Sequence, residues 1–331
     1  MIRKGWDRLL SNFGLKAKKS RFFLLFVGAV ALVFYATYFP LPSGKTPVRF
    51  YSTHLREDLR LVVLKALKSA KDSIHVYTYA LTDPHVLSIL MKKAKEGLDV
   101  HVTYHQKNTP KLENLPHLHL HPEKGRGLMH AKWIVIDEKM VFLGTANLTS
   151  SSLMMHENLL AGFHAPEFAK ALLTPSFYQG TVGKSELTFY LLPDPKAFPH
   201  LLKLLDQAKK KIHIAMFTFT HPQIVSKLIE LHQRGVEVKV SLDQMGSRGA
   251  SKMAAETLQA AGVPVQAFQG MPLFHHKWAL IDESTLVLGS ANWTQAAFKK
   301  NKDFILFITN INKKYLKNTV NAIKKDSLNC N

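Results

Sequence analysis

The feature that most constrains the fold of this chain is an internal duplication of a short polar motif. His275 lies 145 positions after His130 (275 − 130), and the same offset relates further polar residues and glycines that follow them. The matched pairs are His130 and His275, Lys132 and Lys277, Asp137 and Asp282, Gly144 and Gly289, and Asn147 and Asn292. Repeated identity at one offset indicates two copies of one structural unit within the chain.

Each motif follows a segment whose pattern predicts helix, strand, helix and strand in that order. The second copy repeats the first at an offset of 138 (212 − 74), which grows to 145 because seven residues (145 − 138) are inserted between Asp243 and Phe274. The elements predicted in the first copy are a helix at 61–70, a strand at 74–80, a helix at 84–97 and a strand at 100–104. Two strands joined by a helix are expected to pair in parallel. The sequence therefore predicts an α/β fold of two similar halves with mixed β-sheets flanked by helices, related by a pseudo-two-fold axis.

Composition divides the chain into an N-terminal attachment and the two halves. Residues 22–39 form an uncharged run of eighteen residues, which is long enough to cross a bilayer as a helix. Basic residues precede this run, and a short linker rich in Pro, Ser and Gly follows it. The predicted segments are 1–21 (basic), 22–39 (transmembrane signal anchor), 40–49 (linker), 50–185 (first half) and 186–331 (second half).

The charges around the apolar run favour a cytoplasmic N-terminus, because Lys and Arg next to a transmembrane helix are retained on the cytoplasmic side. A cleaved signal peptide is the alternative, but no convincing small-x-small cleavage site follows the run. We therefore expect a single-pass membrane protein whose catalytic halves lie on the extracytoplasmic side.

Within each motif the His and the Lys are two positions apart, which places them on the same face of an extended strand. One face therefore offers an imidazole and an ammonium group together. The Gly-Thr-x-Asn and Gly-Ser-x-Asn segments that follow predict a turn into a helix whose N-terminal amides attract an anion. We expect the substrate phosphate to be bound by Lys132, Thr145, Asn147, Lys277, Ser290 and Asn292.

The paired motifs resemble those of the phospholipase D superfamily, whose members carry a His-x-Lys-x4-Asp motif twice and join both copies into one active site. They are most similar to the endonuclease and mitochondrial cardiolipin hydrolase branch, and the resemblance covers most of the chain from about Phe50. It implies cleavage of a phosphodiester through a phosphohistidine, with His130 as the nucleophile and His275 as the acid. Because both motifs are present in one chain, an oligomer is not required.

Acidic residues after each motif are candidates for holding the catalytic imidazoles. Glu157 lies 27 positions after His130, and Asp303 lies 28 positions after His275. Acids in such places hold the catalytic histidine in the resembling family, which implies that role here. The predicted catalytic residues are therefore His130, Lys132, Asn147, Glu157, His275, Lys277, Asn292 and Asp303.

Asp137 and Asp282 are interpreted as structural, and His276 either as structural or as a support for the residues of the site. Asp137 and Asp282 complete the two motifs, but a strand residue seven positions after the His faces the opposite side, so each is expected to fix a turn. His276 also lies on the face opposite its neighbour His275.

No metal or other cofactor is expected, because two His, two Lys and two Asn supply the donors and charges that phosphodiester cleavage needs. The single cysteine, Cys330, cannot form a thiolate cage for zinc. His117, His119 and His121 alternate with apolar residues and could bind a metal, but three solvated histidines on an amphipathic strand is the favoured interpretation.

A membrane anchor favours phospholipid as the substrate, since it would hold the active site near lipid headgroups. Hydrolysis would then release phosphatidic acid. The excess of 44 Lys and Arg over 24 Asp and Glu favours a polyanionic partner, so a nuclease acting on nucleic acid is the alternative. Phosphatidyl transfer to an alcohol, as in cardiolipin synthesis, uses the same covalent chemistry and stays open. Two complete motifs argue against a catalytically silent binding module.

Apolar residues next to the motifs could contact the acyl chains of a lipid substrate, although such residues more often belong to the core. They are Leu128, Met129, Met154, Met155, Met271, Pro272, Leu273 and Phe274.

Overall fold

The computed structural model describes residues 39–311, except for residues 125, 126, 269 and 271. The basic segment 1–21 and the predicted transmembrane segment 22–39, apart from its last residue, lie outside the described residues. From Leu41 onward, the described residues belong to one compact unit that contains two mixed β-sheets flanked by helices. No helix in that part of the chain combines the length and the apolar character needed to cross a membrane.

The first half begins with a strand and then follows the predicted order of helix, strand, helix and strand. Its strands are β1 (Val48–Ser52), β2 (Ser73–Thr78), β3 (Asp99–His105), β4 (Leu118–Glu123), β5 (Trp133–Ile136), β6 (Met140–Gly144) and β7 (Leu159–His164). Its helices are α1 (Leu59–Ser69), α2 (Pro84–Lys95), α3 (Ser150–Met154) and α4 (Pro166–Ala171). Short 3-10 turns occupy Thr53–Leu55 and Gln106–Asn108.

The second half repeats this order with one additional strand at its start. Its strands are β8 (Phe177–Val182), β9 (Ser185–Leu191), β10 (Lys211–Met216), β11 (Glu237–Asp243), β12 (Val265–Phe268), β13 (Lys277–Ile281), β14 (Thr285–Gly289) and β15 (Phe304–Thr309). Its helices are α5 (Ala197–Asp206), α6 (Pro222–Gln233), α7 (Gln244–Arg248), α8 (Lys252–Ala260) and α9 (Gln295–Lys299). The inserted residues fall in the stretch that carries α7 and α8, where the first half has only a 3-10 turn.

Capping residues explain where the helices α1 and α2 begin. The Asp58 carboxylate accepts the backbone N–H of Leu61 at 3.0 Å and caps α1. Asp83 accepts the N–H groups of the second and third residues of α2, and Pro84 occupies the first helical position, where its missing N–H leaves no bond unmade. Both helices then bury an apolar face, which for α1 includes Val62 and Val63.

The order of strands in the two sheets confirms the duplication. The first sheet runs β1-β7-β6-β5-β2-β3-β4, and the second, read in the same direction, runs β8-β9-β15-β14-β13-β10-β11-β12. Each strand of the first sheet has a counterpart in the second, and β8 is an additional edge strand. The predicted parallel pairing is confirmed for β2 with β3 and for β10 with β11, whereas β5 and β13 join their sheets antiparallel.

The connection between the halves differs from the expected one. The sequence predicts no strand at residues 174–184 and divides the halves after residue 185, but β8 pairs antiparallel with β9 in the second sheet. The chain therefore passes from one sheet to the other before Phe177. The alternating exposure of β8 explains why it reads as a loop, since this edge strand buries few side chains.

A shared core lies between the two sheets and holds the motifs in place. Trp133 of β5 contacts Phe189 of β9 and Phe304 of β15 edge-on, with ring centroids 6.0 and 6.2 Å apart. Every residue of β5 and β13 is buried, because helices cover one face of each sheet and the other sheet covers the opposite face. The two central strands that follow His130 and His275 are thus enclosed on both faces by close-packed side chains.

Candidate active site

His130 and His275 each lie immediately before a buried central strand, and each backbone is tied to the opposite half. The N–H of His130 donates to the carbonyl of Lys302 at 2.8 Å, and that of His275 donates to the carbonyl of Glu157 at 2.9 Å. Lys302 and Glu157 lie just before the strands β15 and β7 of the opposite halves. The duplicated motifs are therefore brought to one place by crossed backbone contacts.

The side chain of His130 is held by a carboxylate from the second half. Its Nδ1 donates to Asp303 Oδ1 at 2.8 Å, and Asp303 is only 1% exposed. The same oxygen accepts the hydroxyl of Ser290 at 2.7 Å. Burial by itself would raise the pKa of Asp303, but the neighbouring His130 and Lys132 keep that pKa below its ordinary value. Since Nδ1 carries the proton, the Nε2 lone pair of neutral His130 is available to attack.

The side chain of His275 is held in the same way by a neutral amide from the first half. Its Nδ1 lies 3.0 Å from Asn158 Oδ1, which also accepts the hydroxyl of Thr145 at 2.8 Å. The amide nitrogen of Asn158 donates to the carbonyl of Ser152 at 2.8 Å, which fixes the orientation of the amide. His275 therefore donates from Nδ1 and exposes Nε2, as His130 does, but its partner carries no charge.

The side chain of Glu157 holds neither His130 nor His275. Its carboxylate lies 3.1 Å from Nδ1 of His54, and only its backbone carbonyl contacts His275. The residue in the matching place is Asn158, which lies 28 positions after His130, as Asp303 lies 28 after His275. The 145 offset (303 − 158) identifies Asn158 as the counterpart of Asp303. The prediction chose the neighbouring Glu157 because an acid was expected at this place.

Thr145 and Ser290 also differ from the expected role in binding substrate. Both are 0% exposed, and each hydroxyl donates to the residue that holds a histidine, while accepting the backbone N–H of Leu159 or Phe304. Their position follows from the preceding glycine, because a Cβ on Gly144 would lie 2.2 Å from the carbonyl oxygen of Leu159. The Gly-Thr and Gly-Ser pairs thus allow a close approach of strands and orient the histidine partners.

The two motif lysines are buried and carry lowered pKa values. Burial lowers the pKa of Lys132 to about 7, with Asp303 partly opposing the shift. Burial and then the charge of Lys132 hold the pKa of Lys277 well below its ordinary value. Each ammonium donates to the backbone carbonyl of the histidine two positions earlier. Two ammonium groups so close together would be stabilised by a bound anion.

The imidazoles share that electrostatic environment. Burial and then Lys132 lower the pKa of His130 to about 4, although Asp303 opposes the change. Burial, followed by Lys277, Lys132 and His130, holds the pKa of His275 well below its ordinary value. The influence of residues from both halves on each imidazole indicates one composite site rather than two separate ones.

Asn147 and Asn292, the matched asparagines that follow the two motifs, have unequal contacts. The side-chain oxygen of Asn292 accepts the N–H of Thr218 at 3.3 Å. That of Asn147 is buried and has no hydrogen-bond partner among the described residues. A substrate group that donates a hydrogen bond would satisfy this oxygen, whereas in the flipped amide the nitrogen would take its place and could donate to a phosphate oxygen.

An aromatic residue lines each motif, and sequence reasoning missed both of them. The ring of Tyr79 lies 5.2 Å from that of His130 and 5.3 Å from Nζ of Lys132. Phe217 lies 5.1 Å from the ring of His275, and Nζ of Lys277 lies 5.1 Å from the Phe217 centroid. The two aromatics are related by the 138 offset (217 − 79), which was the available signal.

Asp137 and Asp282 lie away from the site and anchor strands. The carboxylate of Asp137 accepts three backbone N–H groups at residues 71–73, at 2.8 to 3.1 Å, where β2 begins. Asp282 accepts the equivalent groups of residues 209–211 before β10. The Asp of each motif therefore links a β-hairpin to the start of the neighbouring strand.

Two groups of side chains have the composition of a metal site. Asp99, His101 and His119 lie on the surface of the first sheet, with both imidazoles bonded to the carboxylate at 3.0 and 2.9 Å. His121 stacks on the same row of rings, whereas His117 stands just before β4. The other group consists of His54, Glu157 and His276.

The apolar residues next to the motifs divide between core and surface. Met129 and Phe274 are 2% and 0% exposed, whereas Leu128, Met154 and Met155 are 44, 43 and 62% exposed. Met271 lies outside the described residues, and Pro272 and Leu273 are partly buried.

The sequence matches the family described as cardiolipin synthase, PLD-like domain, over residues 63–174 and 201–324. These two matched stretches correspond to the two halves of the fold and cover well over half of the chain. Each stretch contains one complete motif.

Curated relatives match over shorter stretches. The mitochondrial cardiolipin hydrolase of Xenopus tropicalis is 37% identical over 110 residues, which is 33% of this chain and 52% of the relative. The phospholipase D of Rickettsia conorii is 25% identical over 142 residues, which is 42% of this chain and 70% of the relative. The chain thus spans about half the length of the first of these relatives, 52%.

Among solved structures, the phosphatidylserine synthase of Haemophilus influenzae Rd KW20 is similar to nearly the whole chain. The TM-score is 0.67, with 87% of this chain and 88% of the other covered. Sequence identity is 14%, so the likeness concerns the fold.

Proposed function

The chain belongs to the phospholipase D superfamily, and from this premise we propose that it is a phosphodiesterase that hydrolyses phospholipids at one site shared by its two halves. The observation that carries the proposal is the crossed support of the histidines, in which Asp303 holds His130 and Asn158 holds His275. Two imidazoles fixed through Nδ1, beside two lysines, form the set of groups that an in-line displacement at phosphorus needs.

In the first proposed step, Nε2 of His130 attacks phosphorus, and a P–N bond forms as the bond to the headgroup oxygen breaks. The negative charge of the bound phosphodiester opposes the burial and the lysine charges that lower the pKa of His275, so that His275 is protonated at Nε2 in the substrate complex. It donates this proton to the headgroup oxygen, and the headgroup leaves as an alcohol. Lys132 and Lys277 stabilise the charge that develops on the non-bridging oxygens. Asp303 balances the positive charge of the phosphohistidine.

In the second proposed step, water attacks phosphorus and the P–N bond breaks. Neutral His275 takes the proton from this water, and phosphatidic acid leaves while His130 returns to its neutral state. The unequal partners support this division of roles. A carboxylate stabilises a cationic phosphohistidine better than an amide does, whereas an amide leaves His275 a stronger acid.

Lipid as the substrate is supported by the relatives named cardiolipin hydrolase and phospholipase D and by the surface next to the motifs. Leu128 lies two positions before His130, and Met154 and Met155 precede His156, whose ring is 6.2 Å from that of His275. These three exposed apolar side chains could contact acyl chains or the interface of a bilayer.

We further propose that residues 22–39 anchor the chain in a membrane as a single span, with the catalytic halves on the extracytoplasmic side. Protease added to intact spheroplasts is expected to digest residues 50–331. Protection of those residues would place them in the cytoplasm.

A nuclease is the second candidate, favoured by the net charge of +20. The full chain in detergent should be offered labelled phospholipid vesicles and single-stranded DNA in parallel, with His130→Asn as the control for contaminating activity. Release of phosphatidic acid by the wild type alone supports the proposal. Cleavage of DNA without lipid turnover would support a nuclease, and a phosphatidyl-alcohol product would indicate transfer.

A further inference from the structure

The side chain of His276 is buried without a hydrogen-bond partner. It is 0% exposed, and neither ring nitrogen has a partner among the described residues. A neutral imidazole carries one donor and one acceptor, and leaving both unpaired in the interior is unfavourable. The neighbouring motif position in the first half is Ala131, so the reaction chemistry does not require an imidazole here.

The surroundings of His276 are aromatic on one side and polar on the other. Its ring lies 4.9 Å from Phe274 and 5.9 Å from Trp278, neither of which offers an acceptor. On the polar side are His54, whose ring centroid is 6.3 Å away, and the carboxylate of Glu157. The side chains of His54 and Glu157 are only 2% and 13% exposed.

The three polar side chains converge on one point. One ligand atom from each of His54, Glu157 and His276 lies within 4.8 Å of the others. That spacing suits side chains placed around a common ion, since zinc binds nitrogen and oxygen at about 2.0–2.2 Å.

We propose that His54, Glu157 and His276 form a buried site for a divalent transition-metal ion, and that zinc suits their two imidazoles and one carboxylate best. The carboxylate supplies one negative charge, and a fourth position stays open for water. The group around Asp99 differs, because it is exposed and both of its imidazoles bond to the carboxylate, whereas the buried His276 has no partner among the described residues.

The bound ion is a structural element that fixes His275, and it takes no part in the proposed reaction steps. It joins the 3-10 turn after β1, the segment before β7 and the segment before β13. Glu157 accepts the backbone N–H of His275, and the next residue, Asn158, holds its ring. A metal at this point therefore stabilises both contacts that orient His275.

The test uses the full chain, without an affinity tag, in detergent and stripped of metal. The parent protein carries His101→Gln and His119→Gln, which remove the exposed group. Titration with Co²⁺ is expected to show one equivalent bound with the visible absorption of a tetrahedral ion. Zn²⁺ in about 100-fold excess over its Kd is expected to raise the Tm by roughly 5 °C.

Two variants of this parent separate the site from the other histidines. In His276→Phe the new ring packs against aromatic neighbours, and in Glu157→Gln the side chain keeps its size and shape. Each variant is expected to lose Co²⁺ binding and the shift in Tm. Absence of stoichiometric binding in the parent would overturn the proposal and leave a buried water as the partner of His276. The proposal would also be wrong if both variants bound Co²⁺ as well as the parent protein does.

Discussion

The two histidines of the site have chemically different partners, and the roles that we propose for them rest on this difference. Asp303 carries a charge and Asn158 does not, although the two occupy matching places. Replacing Asp303 by Asn should lower kcat by roughly 10²- to 10⁴-fold, because the phosphohistidine would lose its counter-charge. The measurement is steady-state hydrolysis of phospholipid across pH.

The reciprocal substitution, Asn158→Asp, serves as the matched comparison. A carboxylate at this place raises the pKa of His275, so the alkaline limb of the rate profile, which reports loss of the acid's proton, should move to higher pH. An unchanged alkaline limb, or an Asp303→Asn variant as active as the wild type, would contradict the assignment.

Lys132 is expected to oppose stability while it supports catalysis. Its pKa is about 7 in the folded protein against 10.5 for the ordinary side chain, so the unfolded chain binds more protons between these values and stability rises with pH there. Lys132→Met should therefore abolish activity yet raise the free energy of unfolding by roughly 1–3 kcal/mol below pH 7. Denaturant unfolding at several pH values is the measurement. The gain should shrink as pH rises from about 7 towards 10.5, and a gain independent of pH would contradict the account.

At the scale of the elements, the third residue of each motif holds a hairpin against the start of a strand. Asp137→Ala leaves three backbone N–H groups at residues 71–73 without their acceptor. We expect a loss of roughly 1–3 kcal/mol in unfolding free energy, with kcat of the folded protein little changed. Glu138→Ala, which alters an exposed side chain of the same hairpin, is the control. A large fall in kcat without loss of stability would assign Asp137 to the site instead.

Elements that bury a regular face were predictable from the sequence, and those that do not were missed. The helices α1 and α2 and the strands β2 and β3 have an apolar period and polar caps, and their predicted bounds differ by a few residues at most. The strand β8 was missed because it lies at a sheet edge and its residues alternate between exposed and partly buried. Its pairing with β9 depends on contacts that no local pattern contains.

For the whole molecule, the duplication predicted the two matching sheets, but not which residues cross between them. Residues related by the 145 offset were identified correctly as pairs, whereas the partner of each histidine comes from the other half. Glu157 was favoured over Asn158 as the partner of a histidine because an acid was expected. Thr145 and Ser290 were predicted to bind the substrate because their hydroxyls were expected to be accessible. Only the packing of the sheets shows that these hydroxyls are enclosed.

The central claim is that His130 and His275 serve a single phosphate, and the most direct test replaces each by Asn and measures single-turnover hydrolysis with phosphorus-labelled lipid. A shared site predicts that either replacement lowers the rate by at least roughly 10³-fold, because removing the nucleophile or its acid disables the same displacement. Acid quench of the wild type should leave label on His130. If either single variant kept about half of the wild-type rate, the two halves would be working separately and the composite site would be wrong.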